Sequence, residues 1–129
     1  NPIYVGEIGS AHALKAINNI LNVSQLCMAT EAIKSLEKYN ITFNKACEVI
    51  NNSSGRSLMT QERIPKDIIN ERYNYGFKTG LMKKDVKIAL EIIGENNIMF
   101  GNILNLLDKS EIKYGEYSDY TNISKLFLE

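Results

Sequence analysis

The sequence has two cysteines, a single histidine and no apolar run that approaches the roughly 18 residues of a membrane span. Each scarcity excludes something. Cys27 and Cys47 both sit inside apolar helical patterns, and there is no CxxC and only His12 as a possible imidazole ligand. They read as free thiols in a core, with no metal site expected, and they place the chain in a reducing intracellular compartment, cytoplasm or organelle matrix. The first residues lack the basic, apolar and small segments of a signal peptide. Net charge is zero, with 15 basic and 15 acidic residues, so the overall field gives no reason to expect nucleic acid or an acidic membrane as a partner. N-x-S/T triplets at Asn22, Asn40, Asn51, Asn52 and Asn122 are what chance supplies in an asparagine-rich chain. No strand pair, fixed-period repeat or low-complexity tract can be found. A GxGxxG fingerprint is absent too, and no alternating β-α pattern exists to hold one.

What is there is one domain's worth of helix. The 129 residues, 44% hydrophobic and 23% charged, have the balance of a soluble globular domain. The stretch from Gly9 to Tyr39 has no proline, and no glycine after its first residue, and reads as one helix of about eight turns, roughly 45 Å long. Within it Leu14, Ile17, Leu21, Met28 and Ala32 form an apolar stripe that Ile20, Val23, Cys27 and Ile33 broaden, so burial on more than one side is expected. Residues 3–5 read as extended, and Gly6 to Gly9 as a turn into this spine.

Asn40 ends the spine and Thr42 is placed to cap a second helix with Phe43, Ala46, Val49 and Ile50 on one face. NNSSG, residues 51–55, is a stop. A third helix follows over residues 57–71, with a kink or break expected at Pro65. RYNYGF reads as a loop. A fourth helix over residues 79–96 carries Leu81, Met82, Val86, Ala89, Leu90 and Ile93. A fifth, from near Ile98 to about Lys113, turns Phe100, Ile103, Leu104 and Leu107 inward. After the tyrosine-containing loop YGEYSDY, NISKLFL reads as a short terminal helix. The fold class expected is all-α, about six helices packed around one long N-terminal helix.

Four places carry residues with chemical capability. Lys15 and Asn19, four apart, share a helix face one turn from each other, where an ammonium could donate a proton beside a carboxamide that holds a polar substrate group. The ordinary reading is a solvated lysine on an exposed face. Lys83, Lys84 and Asp85 read first as a solvent face, but they follow a glycine-hinged aromatic loop, Tyr73, Tyr75 and Phe77, of the kind found at ligand edges. SSGR, ending at Arg56, reads as a helix stop with a surface arginine. His12 is as well explained by polar packing as by catalysis. Singly, none of the four names a function.

Taken in order, GEIGSAHALKAINNIL, TEAIKSLEKYNI, NSSGRS and GFKTGLMKKDVKIALE resemble the C-terminal helical domain of the β-hydroxyacid dehydrogenases, the group containing 3-hydroxyisobutyrate dehydrogenase. The motifs cover residues 5 to about 95, and a looser likeness continues to Leu126. The family's glycine-rich turn, lysine and asparagine four residues on fall on Gly6, Gly9, Lys15 and Asn19. A glycine common two residues after Gly9 is Ala11 here, a small loss of backbone freedom at a helix start.

The resemblance implies a helical domain like the C-terminal domain of 6-phosphogluconate dehydrogenase, preceded in the intact protein by a Rossmann domain that binds NAD or NADP and that this chain does not contain. Lys15 would be the catalytic general acid in carbonyl reduction and the base, or its relay, in alcohol oxidation. A partly desolvated cleft at a closing domain interface would tune such a lysine. Asn19 and Gly9 would bind substrate, a small 3-hydroxy acid or its semialdehyde. Lys84, Phe77 and Asp85 would line the cofactor side, and Lys83 has no matching role. The domain would also associate into a homodimer or tetramer, although the spine's apolar breadth is equally explained by burial within one chain. The isolated domain is expected to be inactive. The competing reading is a helical dimerisation or scaffold module that kept the fold and lost the chemistry, and the larger 6-phosphogluconate-type helical domain does not fit this length.

Overall fold

The computed structural model describes residues 6–7 and 9–129, so the extended segment expected at residues 3–5 lies outside the described residues. The described residues form five α-helices, one π-helix and two 3-10 segments, with no strand beyond an isolated antiparallel bridge between Lys78 and Asp119. The all-α expectation is met.

Helix α1 runs Ser10–Lys34 and tightens into a 3-10 segment, Ser35–Tyr39, that stops at Asn40 in the left-handed conformation. Asparagine tolerates that conformation better than most residues. The buried line of α1 is Ala16, Ile20, Val23, Cys27 and Thr30, which is helical spacing, joined by Ser24, Leu26 and Ile33. The stripe expected to lead burial does not: Leu14 is 52% exposed, Leu21 42% and Met28 53%, and Ala32 is exposed as well. Periodicity finds both lines and cannot say which one faces the chain's own core. The line chosen for burial is rich in small side chains, which lets a second helix approach closely.

That second helix is α3, Thr79–Ile93, and α1 with α3 makes the most extensive packing between elements. Met82, Val86 and Ala89 are buried on it, whereas Leu81, expected inward, is half exposed. Helix α2, Phe43–Ile50, is capped as expected, with Lys45 N–H donating to Thr42 Oγ1 at 3.1 Å. An eight-residue helix can turn only a narrow strip inward. Ala46 and Cys47 take it, and Val49 is left outside.

Pro65 does not break its helix. Residues Met59–Ile69 form a π-helix, whose hydrogen bonds run from each N–H to the carbonyl five residues back. In that register the carbonyl that Pro65 cannot serve is that of Thr60, and the side chain of Asn51 donates to it at 3.0 Å. The backbone deficit of the proline is therefore filled from α2's end, which is why the helix continues.

Helix α4 runs Ile103–Tyr114 and starts five residues later than the apolar pattern suggests. Asn97 is the reason: its side chain donates to the Gly94 carbonyl at 3.1 Å and accepts from Phe100 N–H at 3.0 Å, holding a turn where a helix was expected and leaving Ile98 95% exposed. Lys83 ties α3 to α4, 2.8 Å from Asp108 and 3.0 Å from Glu111. A solvent-facing reading of Lys83 is thus corrected to a bridging one. A 3-10 segment, Tyr120–Ser124, and helix α5, Lys125–Leu128, pack back on α1. Cys27 and Cys47 are buried free thiols, and burial, with Glu31 nearby, pushes the Cys27 thiol up to about 12.

Candidate active site

Lys15, Asn19 and Asn22 stand at i, i+4 and i+7, one line along α1. Two of the three are locked to other elements. Asn19 Nδ2 donates to Asp85 Oδ2 of α3 at 2.7 Å. Asn22 Oδ1 accepts from the hydroxyl of Tyr120. Lys15, one turn above Asn19, is exposed at the free end of this line. A rigid polar face is what positions an ammonium, because the carboxamide beside it cannot rotate without breaking a charge-assisted hydrogen bond.

The remaining candidates are distributed around this line. Gly9 precedes α1 with φ +95, a left-handed conformation that favours glycine, and its carbonyl accepts from Ala13 N–H. Lys84 is exposed and lines a cavity of about 410 Å³ between α3 and α4, together with Lys78, Lys83, Lys87, Glu111 and Glu116. Its neighbour Asp85 faces α1 and meets Asn19, since consecutive helix residues point about 100° apart. Lys83 is a poor proton donor, since the Asp108 and Glu111 carboxylates hold its ammonium above the ordinary lysine value. His12 is exposed, which removes the packed polar reading, and Arg56 is an exposed side chain donating to the Ser53 carbonyl.

Phe77 reaches the line indirectly. Its ring meets Tyr120 edge-on at 6.3 Å, and Tyr75 meets the same ring at 5.6 Å. Tyr120 is fully buried, and burial pushes its phenol up, so the group stays protonated and keeps donating to Asn22. The aromatic loop is anchored upstream by Asp67, whose Oδ1 accepts from Asn74 N–H at 3.0 Å while Oδ2 accepts from Arg63 Nη1 at 2.8 Å. Arg63 lies 4.2 Å over the Tyr75 ring.

Comparisons with known proteins identify the family and the fold. Residues 9–126 match a family model described as NAD-binding of NADP-dependent 3-hydroxyisobutyrate dehydrogenase. The chain belongs to this family. It is 32% identical over 95 residues to 2-(hydroxymethyl)glutarate dehydrogenase of Eubacterium barkeri, covering 74% of this chain and 32% of that protein. It is 27% identical over 134 residues to a probable mitochondrial 3-hydroxyisobutyrate dehydrogenase of Arabidopsis thaliana, covering 97% and 39%. Its fold is that of Mycobacterium tuberculosis 3-hydroxyisobutyrate dehydrogenase, described with L-serine, at a TM-score of 0.84 and 20% identity, over 98% of this chain and 46% of that one. The chain thus spans about a third of the length of the curated relatives it matches.

Membership of this β-hydroxyacid dehydrogenase family brings NAD(P) as cofactor, and the residues present suit an edge of such a site. The cavity beside Lys84 carries four ammonium groups and two carboxylates, and Asp108 joins Glu111 in holding Lys83, so one positive charge is left in excess to meet an anionic group. No described helix is long and apolar enough to cross a membrane.

Asn22, Tyr120, Arg63, Asp67 and Asp119 were not singled out in the sequence. Asn22 could have been, since it extends the Lys15–Asn19 face by one turn. Arg63 and Asp67, an i, i+4 pair, carry the same kind of spacing signal. Tyr120 and Asp119 act through contacts between segments about 40 to 100 residues apart, and spacing along a chain carries no signal for those.

Proposed function

We propose that this chain is the C-terminal helical domain of an NAD(P)-dependent 3-hydroxyacid dehydrogenase, acting with a nucleotide-binding domain upstream. The observation that carries the reading is the Asn19–Asp85 hydrogen bond, which fixes the polar face of α1 on which Lys15 stands. Lys15 Nζ is the group that gives a proton to the carbonyl oxygen during reduction and receives it during alcohol oxidation. Asn19, with one amide hydrogen committed to Asp85, keeps its other hydrogen and its oxygen for the substrate's hydroxyl or carboxylate. Gly9 brings backbone close to the same substrate. Phe77, Lys84 and Asp85 border the cofactor, with Asp85 acting through Asn19. NAD(P), when bound, supplies or accepts the hydride.

The substrate is a small 3-hydroxy acid or its semialdehyde, and the relatives' names support that class. The exposed stripe of Leu14, Leu21 and Met28, at heptad spacing, supports association of two copies through α1. It also favours the second reading, a helical association module without chemistry. A panel of 3-hydroxy acids and semialdehydes, assayed with NAD and NADP on the full-length protein beside Lys15→Ala, separates the two. Turnover that collapses in the variant is the expected result. A folded, associated protein without turnover on any of them sinks the enzyme reading.

A further inference from the structure

The segment carrying Phe77 is short, exposed at Tyr75 and Gly76, and conformationally unfavourable. Glu71, Tyr73 and Gly76 all have positive φ, at 55, 47 and 102, within six residues. Non-glycine residues held there cost of the order of 1 kcal/mol each, and such strain persists only where neighbouring structure over-determines it. At the downstream end the determining group is Asp119, more than 40 residues away in sequence. Its Oδ1 accepts from Gly76 N–H at 2.8 Å and from Phe77 N–H at 3.2 Å. Its Oδ2 accepts from Thr121 N–H at 3.2 Å and from the Thr121 hydroxyl, capping the 3-10 segment. The other side of Phe77 is held as well, because Tyr120 N–H donates to the Phe77 carbonyl at 2.7 Å, and Thr79 N–H to Ser118 O at 2.8 Å. One carboxylate therefore performs two jobs with two oxygens: it caps a 3-10 turn and it pins Phe77.

We propose that Asp119 is a positioning residue for the cofactor side of the site, fixing Phe77 against Tyr120 so that the ring is presented to the nicotinamide nucleotide in one orientation. This rests on the assignment of Phe77 to the cofactor side. The two jobs of Asp119 can be separated. Serine at an N-cap retains an acceptor for Thr121 N–H but is too short, with a single oxygen, to hold Gly76 and Phe77 as well. Asparagine retains an oxygen for Gly76 and Phe77 and turns a donor towards Thr121.

The experiment measures NAD(P)H dissociation constants by fluorescence titration, and amide hydrogen exchange across residues 73–78, in the full-length protein. Asp119→Ser is expected to weaken nucleotide binding about tenfold and to speed exchange at Gly76 and Phe77. Asp119→Asn is expected to keep binding within about twofold, whatever it does to the melting temperature. Phe77→Ala should weaken binding about as much as Asp119→Ser, and the double variant should be no worse than either, since residues acting through one contact are not additive. Normal affinity in Asp119→Ser beside weakened Phe77→Ala overturns the proposal and leaves the site intact. So do multiplicative losses in the double variant, or losses in Asn and Ser variants that track only thermal stability. Normal affinity in Phe77→Ala instead overturns the assignment of Phe77 on which the proposal stands.

Discussion

Helix α1 presents two faces that are not core, and they differ in kind. On one, Lys15, Asn19 and Asn22 are polar, and two of the three are held by side chains from distant segments. On the other, Leu14, Leu21 and Met28 are apolar and exposed to an extent usual for polar residues. An ordinary amphipathic helix puts its apolar residues inward and leaves its polar ones free in water. Here the polar face is the constrained one and the apolar face is bare. Constraint on polar groups has a cost in conformational entropy that stability alone does not require, so it marks a place where geometry is needed. A bare apolar line marks a place where another surface is needed.

Replacing Lys15 by alanine should break the polar face's role with the largest effect. An exposed lysine contributes little to folding, so kcat should fall about a hundred- to ten-thousand-fold while the melting temperature stays within error. A parallel loss of stability would show that Lys15 is a structural residue after all. Charging the apolar face, as Leu21→Glu with Met28→Glu, should do the reverse. Sedimentation is expected to show dissociation to a single copy, with circular dichroism and thermal unfolding of that copy almost unchanged, because neither residue is in its core. An unaltered assembly would place the interface elsewhere.

Smaller effects sharpen the contrast. Asn19→Ala leaves Asp85 without its partner and should cost about 1 to 3 kcal/mol in denaturant unfolding, together with a raised KM for the hydroxy acid. The fourth, silent at neutral pH, is a pH effect from the buried side of the same helix. The Cys27 thiol is raised from 9.0 to about 12, so the unfolded chain gives up its proton first. The stability this contributes is present in full below about pH 9 and is lost as pH rises towards 12, a decline that Cys27→Ala should make shallower. An identical decline in the variant would assign it to Tyr120 and other phenols.

Much of this was legible in the sequence, and what was not has identifiable causes. The helices and their order follow from apolar period and from turn residues, and Thr42 and Asn40 cap and stop where their chemistry says they should. Lys15, Asn19 and Asp85 were legible as candidates from residue type and spacing, and the roles proposed for them only by resemblance. The outward face of Leu14, Leu21 and Met28 was not legible, because a period measures regularity and is blind to what lies opposite. Nor was the start of α4, where the side chain of Asn97 outcompetes the helix for backbone groups. The anchoring of the aromatic loop by Asp67 and Asp119 is non-local at one end and hidden in a helix turn at the other.

The π-helix has a consequence for descent. Pro65 is tolerable because the Asn51 amide serves the Thr60 carbonyl, so Asn51 is not free to change while the proline stands. A lineage that lost Asn51 first would carry a buried carbonyl without a donor. One that first replaced Pro65 with a residue bearing an N–H would give the Thr60 carbonyl a second donor, which its two lone pairs can accept, and Asn51 could then change. Aligned relatives that keep Pro65 should therefore keep Asn51, while those without the proline are free at both positions.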